Sequence, residues 1–152
     1  MPSVLKPIDD VLVDFLRELE VSVEEALLEF NLAPLGLRRD VAMMGILFKV
    51  SRREAPAPIQ RFFSLYPENL DKFGFRSGGE WHSRQLLGPV AFHHPVMIRR
   101  SVFGLIKVFN RLPQKLIDAA NVSCFQRMLQ NQAKDAAQAG IPDWELMFRA
   151  AA

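Results

Sequence analysis

Apolar residues recur at spacings of three and four in several short runs of this chain, and prolines or glycines close most of the runs. This spacing places apolar side chains on one face of an α-helix, and proline cannot continue a helix. Sustained apolar–polar alternation, the mark of a half-buried strand, is missing. The pattern therefore predicts an all-α fold, an irregular bundle of about seven short helices.

Three helices are expected in the first third of the chain. The first is amphipathic and covers residues 8–20, with Asp9 and Asp10 in its first turn, where the helix dipole favours carboxylates. Ser22 and Glu25 have the spacing of a capping box, which opens a second helix ending at Phe30. The third helix, over residues 37–53, is the most apolar, and we expect it to be central.

The remaining helices are expected to be shorter and to flank one irregular insertion. Residues 58–66 are predicted to form a short helix, and the Gly- and Pro-rich residues 67–97 a loop-rich insertion with a short strand at 84–87. Helical spacing returns over 98–109, 113–120, from a cap at Asn121 or Ser123 to Gly140, and over 142–148. We expect one domain, 1–152; the alternative subdivides it into helices 1–66, the irregular segment 67–97 and helices 98–152.

The net charge of +2 is an average over three unlike segments. Residues 1–35 hold two basic and eight acidic side chains, residues 36–115 fourteen and five, and residues 116–152 three and four. The middle segment thus has a net charge of +9, and positive charge of this kind is the first requirement for contact with a polyanion. Docking of the acidic first segment on this middle would neutralise much of it.

Several classes of protein are disfavoured by what the sequence lacks. One cysteine, Cys124, gives no internal disulfide and no cysteine-based zinc site, as in an intracellular protein. The longest apolar stretch, residues 41–48, is too short to span a bilayer, and the acidic N-terminal residues resemble neither a signal nor a transit peptide. Phosphate-loop, nucleophile-elbow and zinc-protease motifs are missing, so no cofactor is expected.

The N-terminal part of the chain resembles the region after the catalytic palm in non-LTR (LINE-type) retrotransposon reverse transcriptases. In that family a helix leads to a second short helix, a Leu-x-Pro-Leu turn and an arginine-rich helix. The stretches that carry the resemblance are Val4-Leu5-Lys6-Pro7-Ile8-Asp9-Asp10-Val11, Phe15-Leu16-Arg17-Glu18-Leu19, Leu32-Ala33-Pro34-Leu35 and Leu37-Arg38-Arg39-Asp40.

The C-terminal part is similar to the tail of the same polyproteins, so that the resemblance covers nearly the whole chain in order. The matching stretches are His82-Ser83-Arg84-Gln85-Leu86, Arg99-Arg100-Ser101-Val102-Phe103, Phe109-Asn110-Arg111-Leu112-Pro113 and Val122-Ser123-Cys124-Phe125-Gln126-Arg127-Met128-Leu129. The resemblance implies a thumb-like, post-palm module that follows a template–primer duplex through its phosphates, independently of sequence.

The catalytic part of those polymerases is missing. Phosphoryl transfer needs carboxylates that hold two metal ions, with an aromatic-x-Asp-Asp hairpin at the centre of the site. The Asp-Asp of this chain, Asp9 and Asp10, follows Pro7 at a helix start, and no flanking strand offers a third carboxylate. We therefore predict a non-catalytic module that contacts RNA or DNA backbone, and the candidate contacts are Arg38, Arg39, Arg52, Arg53, Arg99, Arg100, Lys107 and Arg111.

Two alternatives remain open at this stage. The arginine pairs lie near helix ends, where solvated charges and partners for the acidic helices are common. The alternative function is that of an accessory structural subunit of a larger assembly, such as a ribosomal, respiratory or photosynthetic complex. Trp144, Phe148 and six methionines would then form an exposed apolar end. The compartment differs between these interpretations: nucleus or cytoplasm for a retroelement-like module, an organelle for a complex subunit.

The remaining chemical candidates favour structural roles. No cysteine or carboxylate lies at ligand spacing from His82 or from His93 and His94, which are adjacent to each other. We therefore expect no metal site. Cys124 is expected to be a small buried apolar side chain. Seven phenylalanines on helical faces are expected in the core rather than as stacking platforms for bases: Phe30, Phe48, Phe62, Phe63, Phe103, Phe109 and Phe125.

Overall fold

The computed structural model describes residues 6–66, 82–88 and 101–149, and over these residues the fold is all-α, as predicted. Two 3₁₀ turns, Val102–Leu105 and Trp144–Leu146, accompany the α-helices. No helix in the described ranges has both the length and the apolar character needed to cross a membrane. The α-helices are α1 (Lys6–Glu18), α2 (Val23–Phe30), α3 (Leu35–Ser51), α4 (Ala57–Gln60), α5 (Ile106–Phe109), α6 (Gln114–Ile117) and α7 (Val122–Gln138).

The ends of α2 and α7 follow the predicted caps. The Ser22 hydroxyl accepts from the Glu25 backbone N–H at 3.0 Å, and the Glu25 carboxylate accepts from the Ser22 N–H at 3.4 Å, which completes the capping box. Asn121, of the two candidates, caps α7, since its side-chain oxygen accepts from the Cys124 N–H at 2.9 Å. Gly140 follows α7 with φ +65°, a left-handed conformation that favours glycine.

The core forms where α3 packs against α7. Phe48 of α3 stacks on Phe125 of α7 with ring centroids 4.5 Å apart, and Phe109 of α5 meets Phe125 edge to face at 6.4 Å. The two helices approach closely at Gly45, where a Cβ would lie 2.5 Å from the Gln126 side-chain nitrogen. Buried side chains from α2, α3, α5, α6, α7 and the last 3₁₀ turn belong to one continuous cluster, with α3 in the middle, as predicted.

The predicted helix over 58–66 is wrong in its second half. The α-helix ends at Gln60, and Leu65 instead pairs with Leu86 in an isolated antiparallel bridge. The backbone of Tyr66 donates to the Gln85 carbonyl at 2.8 Å, which a continuing helix would prevent. The strand predicted at 84–87 is reduced to this bridge; residues 67–81 and 89–97 of the predicted insertion lie outside the described residues.

The burial of several apolar side chains differs from the sequence prediction. Phe30 and Phe62, predicted to be core, are 61% and 62% exposed. Trp144 and Phe148, the expected exposed apolar end, are buried because the last 3₁₀ turn packs on α3 and α7. Cys124 is half-buried at the edge of the core rather than inside it.

Candidate nucleic-acid interface

The predicted arginine pairs of α3 lie at opposite ends of the helix. Arg38 and Arg39 are in its first turn, whereas Arg52 and Arg53 follow its last residue. Fourteen positions at the helical rise per residue separate the pairs by roughly 20 Å. The four side chains therefore do not form one patch. Arg99 and Arg100 lie outside the described residues.

Arg39 is engaged with a buried carboxylate. Its Nε and one terminal nitrogen both donate to Asp40 Oδ1, at 3.0 and 2.7 Å. Asp40 is only 2% exposed, and a buried carboxylate without a cation is strongly unfavourable. Arg39 therefore stabilises the folded chain, whereas the neighbouring Arg38 is exposed.

Arg52 joins the end of α3 to the loop before α7. Its guanidinium donates to the Ala119 carbonyl at 2.9 Å and to the Glu54 carboxylate at 2.7 Å. The same group lies over the Phe48 ring, 5.3 Å from the centroid. These contacts hold the C-terminal end of α3 against the α6–α7 loop, so Arg52 is a structural residue.

The remaining predicted contacts in the described residues, Lys107 and Arg111, belong to a segment that is hydrogen-bonded to residues 82–88. Asn110 accepts from the Leu86 N–H at 2.9 Å and donates to the Leu86 carbonyl at 2.8 Å, in the manner of a neighbouring strand. Gln114 accepts from the Ser83 N–H at 2.8 Å. Together with the Leu65–Leu86 bridge, these bonds hold residues 82–88 between residues 57–66 and 106–114.

His82 is a buried part of this framework. Its Nδ1 accepts from the Arg84 N–H at 3.1 Å, so in the neutral ring the proton is on Nε2, which donates to the Phe109 carbonyl at 2.9 Å. The ring also meets Phe109 edge to face, 5.1 Å between centroids. Both ring nitrogens of His82 are therefore hydrogen-bonded to backbone groups. His93 and His94 lie outside the described residues.

Exposed cations lie on the segments of this framework and at the C-terminal end of α3, to which the framework is bonded. Gln60 bonds to the Val50 carbonyl at 3.1 Å, so residues 57–66 start against that end of the helix. Over the described residues 55–66, 82–88 and 101–117 there are basic side chains and no acidic one. Glu54, just before them, is paired with Arg52. Six exposed cations lie in these segments and just beyond the end of α3, the sixth being Lys115 in α6, three positions before Asp118. We call the other five the basic cluster: Arg53, Arg61, Arg84, Lys107 and Arg111.

An exposed aromatic side chain accompanies the basic cluster. The Arg61 guanidinium lies over the Phe62 ring, 4.8 Å from the centroid, and Phe62 is 62% exposed. The other face of an exposed ring is a surface on which a base can stack. Sequence reasoning missed Arg61, Phe62 and Arg84 as contact residues, because their segments are joined to that of Lys107 and Arg111 by tertiary bonds of Leu65, Asn110 and Gln114.

The acidic N-terminal segment lies at the other end of α3. Asp9 accepts from the N–H of Leu35, the first residue of α3, at 2.8 Å. Burial and the nearby carboxylates Glu24, Asp143 and Asp9 raise the pKa of Glu145 above its ordinary value. Ion pairs between side chains that the structure describes are all local, at most three positions apart. The α3 helix, about 25 Å long, thus separates an acidic end from the basic cluster.

Two further features concern metal ligands and cavities in the described part of the chain. No group of three or more His, Cys, Asp or Glu side chains among these residues is arranged to hold a metal ion. A cavity of about 170 Å³ between α2, α3 and α7 is lined mostly by apolar side chains. Comparisons of the chain with protein-family models, with curated proteins and with solved structures give no significant match.

Proposed function

We propose that this protein is a non-catalytic helical module that binds the phosphate backbone of nucleic acid through the basic cluster. The observation that carries the proposal is that five exposed cations lie on three chain segments joined by hydrogen bonds, and that the described residues 55–66, 82–88 and 101–117 contain no acidic side chain. Each cation that replaces a counterion of the backbone contributes affinity through counterion release, independently of base sequence.

The position of the acidic residues supports the same proposal. Carboxylates beside the cluster would repel phosphate and reduce the gain from each cation. Among the described residues, several carboxylates lie instead near the N-terminal end of α3, where Asp9 bonds Leu35 and where burial and the nearby Glu24, Asp143 and Asp9 raise the pKa of Glu145. The charge distribution therefore orients a polyanion towards one end of the molecule.

Phe62 favours single-stranded over purely duplex nucleic acid. Stacking of one base on an exposed aromatic ring contributes roughly 1–3 kcal/mol and tolerates any base, since every base has a π-face. Arg61 already covers part of the ring and supplies a cation beside the phosphates that flank such a base. Bases in a continuous duplex are not available for this contact.

The resemblance to the post-palm part of non-LTR reverse transcriptases also implies nucleic acid as the partner and contact through its phosphates, as this proposal does. Two of the resembling stretches, 82–86 and 109–113, meet through the bonds of Asn110 to Leu86 and of His82 to Phe109. Asp9 acts as a cap for α3 rather than as a metal ligand. We accordingly expect no primer extension when the chain is mixed with nucleotides and a primer–template.

Binding to generic oligonucleotides tests the proposal. Fluorescence anisotropy with labelled single-stranded and duplex RNA of arbitrary sequence, at 50–300 mM salt, should give an affinity that falls linearly with log salt. About three to five phosphate contacts correspond to a slope of roughly −2 to −4. An affinity no better than that of an inert protein of equal net charge would refute the proposal.

A second candidate function is that of an accessory structural subunit in a larger protein assembly. The observation that favours it is the exposed apolar side of α1, where Val11 is 68% exposed. Monomeric soluble proteins seldom leave such a continuous apolar face in solvent. Copurification from the source, with and without nuclease, distinguishes the candidates, because protein partners of a subunit persist after nuclease treatment.

A further inference from the structure

Helix α1 presents an apolar stripe to solvent. Four side chains at spacings of three and four form it: Ile8, Val11, Phe15 and Leu19, which are 55%, 68%, 53% and 56% exposed. In a globular protein this face of an amphipathic helix normally faces the core. The stripe is therefore an apolar surface that the rest of the described chain leaves uncovered.

The attachment of α1 explains the exposure. Leu16 is the buried apolar residue of the helix, at 3% exposed, and Asp9 bonds the start of α3. Both residues lie about a quarter turn away from the centre of the apolar stripe. The helix thus packs through one edge, and this edge fixes the stripe in an outward orientation.

Carboxylates run along one side of the apolar stripe. Asp10, Asp14 and Glu18 follow each other at spacings of four, so they form a parallel row on the helix surface. Arg17 pairs with Asp14 at 2.6 Å, and residues 1–35, with two basic and eight acidic side chains, keep a net charge of −6. The neighbouring α2 continues the same composition, with exposed Leu28 and Glu29 and with Phe30 at its end.

We propose that the apolar stripe and its acidic row bind a basic amphipathic helix of another protein. Such a helix would lay leucine-like side chains on Val11 and Phe15 and place lysines or arginines opposite the acidic row, which is how amphipathic helices bind grooves and helix faces. This surface is distinct from the basic cluster, so the inference goes beyond the proposed nucleic-acid contact.

Charge selects this occupant over the other candidates. In an antiparallel two-fold dimer through the stripe, each acidic row would face its own copy, and like charges in contact repel each other. Anionic lipid surfaces and nucleic acids are repelled for the same reason. A partner with cations beside an apolar ridge satisfies both features of α1.

Three designed peptides test the inference. The probe is a labelled 18-residue amphipathic helix of leucine and lysine, compared with a scrambled peptide of the same composition and with a leucine–glutamate version of the same pattern. We expect the patterned basic peptide to bind at least tenfold more tightly than either control. The substitutions Val11→Ser and Phe15→Ser together should weaken it at least tenfold, while Ile59→Ser, at an apolar position on α4 that is 38% exposed, should leave it unchanged.

Three outcomes would overturn the inference. They are equal binding of patterned and scrambled peptides, insensitivity to the double substitution, and a homodimer in sedimentation that the double substitution dissolves. Circular dichroism checks that the variants fold, as expected for exposed sites. The double variant should retain its oligonucleotide affinity, so failure of this inference and failure of the proposed function give different results.

Discussion

The carboxylate of Asp9 in α1 accepts a hydrogen bond from the backbone N–H of Leu35, the residue that opens α3, at 2.8 Å. Pro34, which precedes this helix, offers no side-chain cap. A residue twenty-six positions earlier therefore satisfies one of the free N–H groups of the helix and places a negative charge at the positive end of its dipole. The bond also determines which side of α1 faces the core.

Asp9→Ala should lower the free energy of unfolding by about 1 kcal/mol, the usual cost of losing a helix cap. The matched control is Asp14→Ala, which removes an exposed carboxylate and its pair with Arg17 and should cost less than about 0.5 kcal/mol. Urea unfolding followed by circular dichroism measures both. Equal losses for the two variants would show that the contact with Leu35 does not stabilise α3.

Asn110→Ala should cost about 2–3 kcal/mol, because it leaves both the N–H and the carbonyl of buried Leu86 without their side-chain partner. Residues 82–88 should exchange their amide hydrogens faster, and oligonucleotide affinity should fall although no charge is lost. Hydrogen exchange by mass spectrometry is the measurement, with Asn131→Ala on the exposed side of α7 as control. Unchanged exchange over 82–88 contradicts the role of Asn110.

Arg52 and Arg53 are adjacent, but their substitutions should change the free energy of unfolding in opposite directions. Arg52→Ala loses the bond to the Ala119 carbonyl and the pair with Glu54, and should destabilise the fold by about 1.5–3 kcal/mol. Arg53 has φ +60°, a left-handed conformation that glycine adopts without strain. Arg53→Gly should therefore raise stability by about 0.5 kcal/mol while lowering oligonucleotide affinity. A loss of stability in Arg53→Gly comparable to that of Arg52→Ala would be evidence against this account.

Glu145 should make the folded state less stable as the pH rises. Its pKa is raised in the folded state by burial and by Glu24, Asp143 and Asp9, so the folded protein binds this proton more tightly than the unfolded chain does. The resulting stabilisation is present below the ordinary carboxyl pKa and is lost as the pH rises through the raised value. Glu145→Gln should thus stabilise the protein at pH 7, by about 0.5 kcal/mol or less because the site is partly solvated, and change little at pH 3.5. Thermal unfolding at both pH values measures this, and a larger gain at pH 3.5 would reverse the sign of the argument.

The helices predicted best from the sequence have ends that are determined locally. The capping box of Ser22 and Glu25, the cap at Asn121 and the glycine at position 140 each act within one turn of the helix that they bound. The central place of α3 followed from its apolar content alone. These signals do not depend on what the helix later packs against.

The errors concern tertiary contacts. The helix predicted to continue to Tyr66 stops early because the backbone of Ser64 and Tyr66 bonds to residues 85–87. An apolar helical face also does not reveal whether anything covers it: Phe30 and Phe62 are exposed, while Trp144 is buried by α3 and α7. Arg39 and Arg52 look like contact residues in sequence, yet their partners Asp40 and Ala119 give them structural roles. The basic cluster could not be predicted from the sequence, because spacing along the chain does not show where residues 61 and 84 lie.

The salt dependence of oligonucleotide binding in a Lys107→Ala/Arg111→Ala double variant tests the central claim most directly. Both residues are exposed members of the basic cluster, and the control is Arg17→Ala, which removes one exposed cation on α1, away from the cluster. We expect weaker binding, and a log–log salt slope less negative by roughly 1.4–1.8 than that of the unmodified protein, since two phosphate contacts are lost. Arg17→Ala should leave both values unchanged. An unchanged slope in the double variant, or an equal change in Arg17→Ala, would contradict a nucleic-acid interface at the basic cluster.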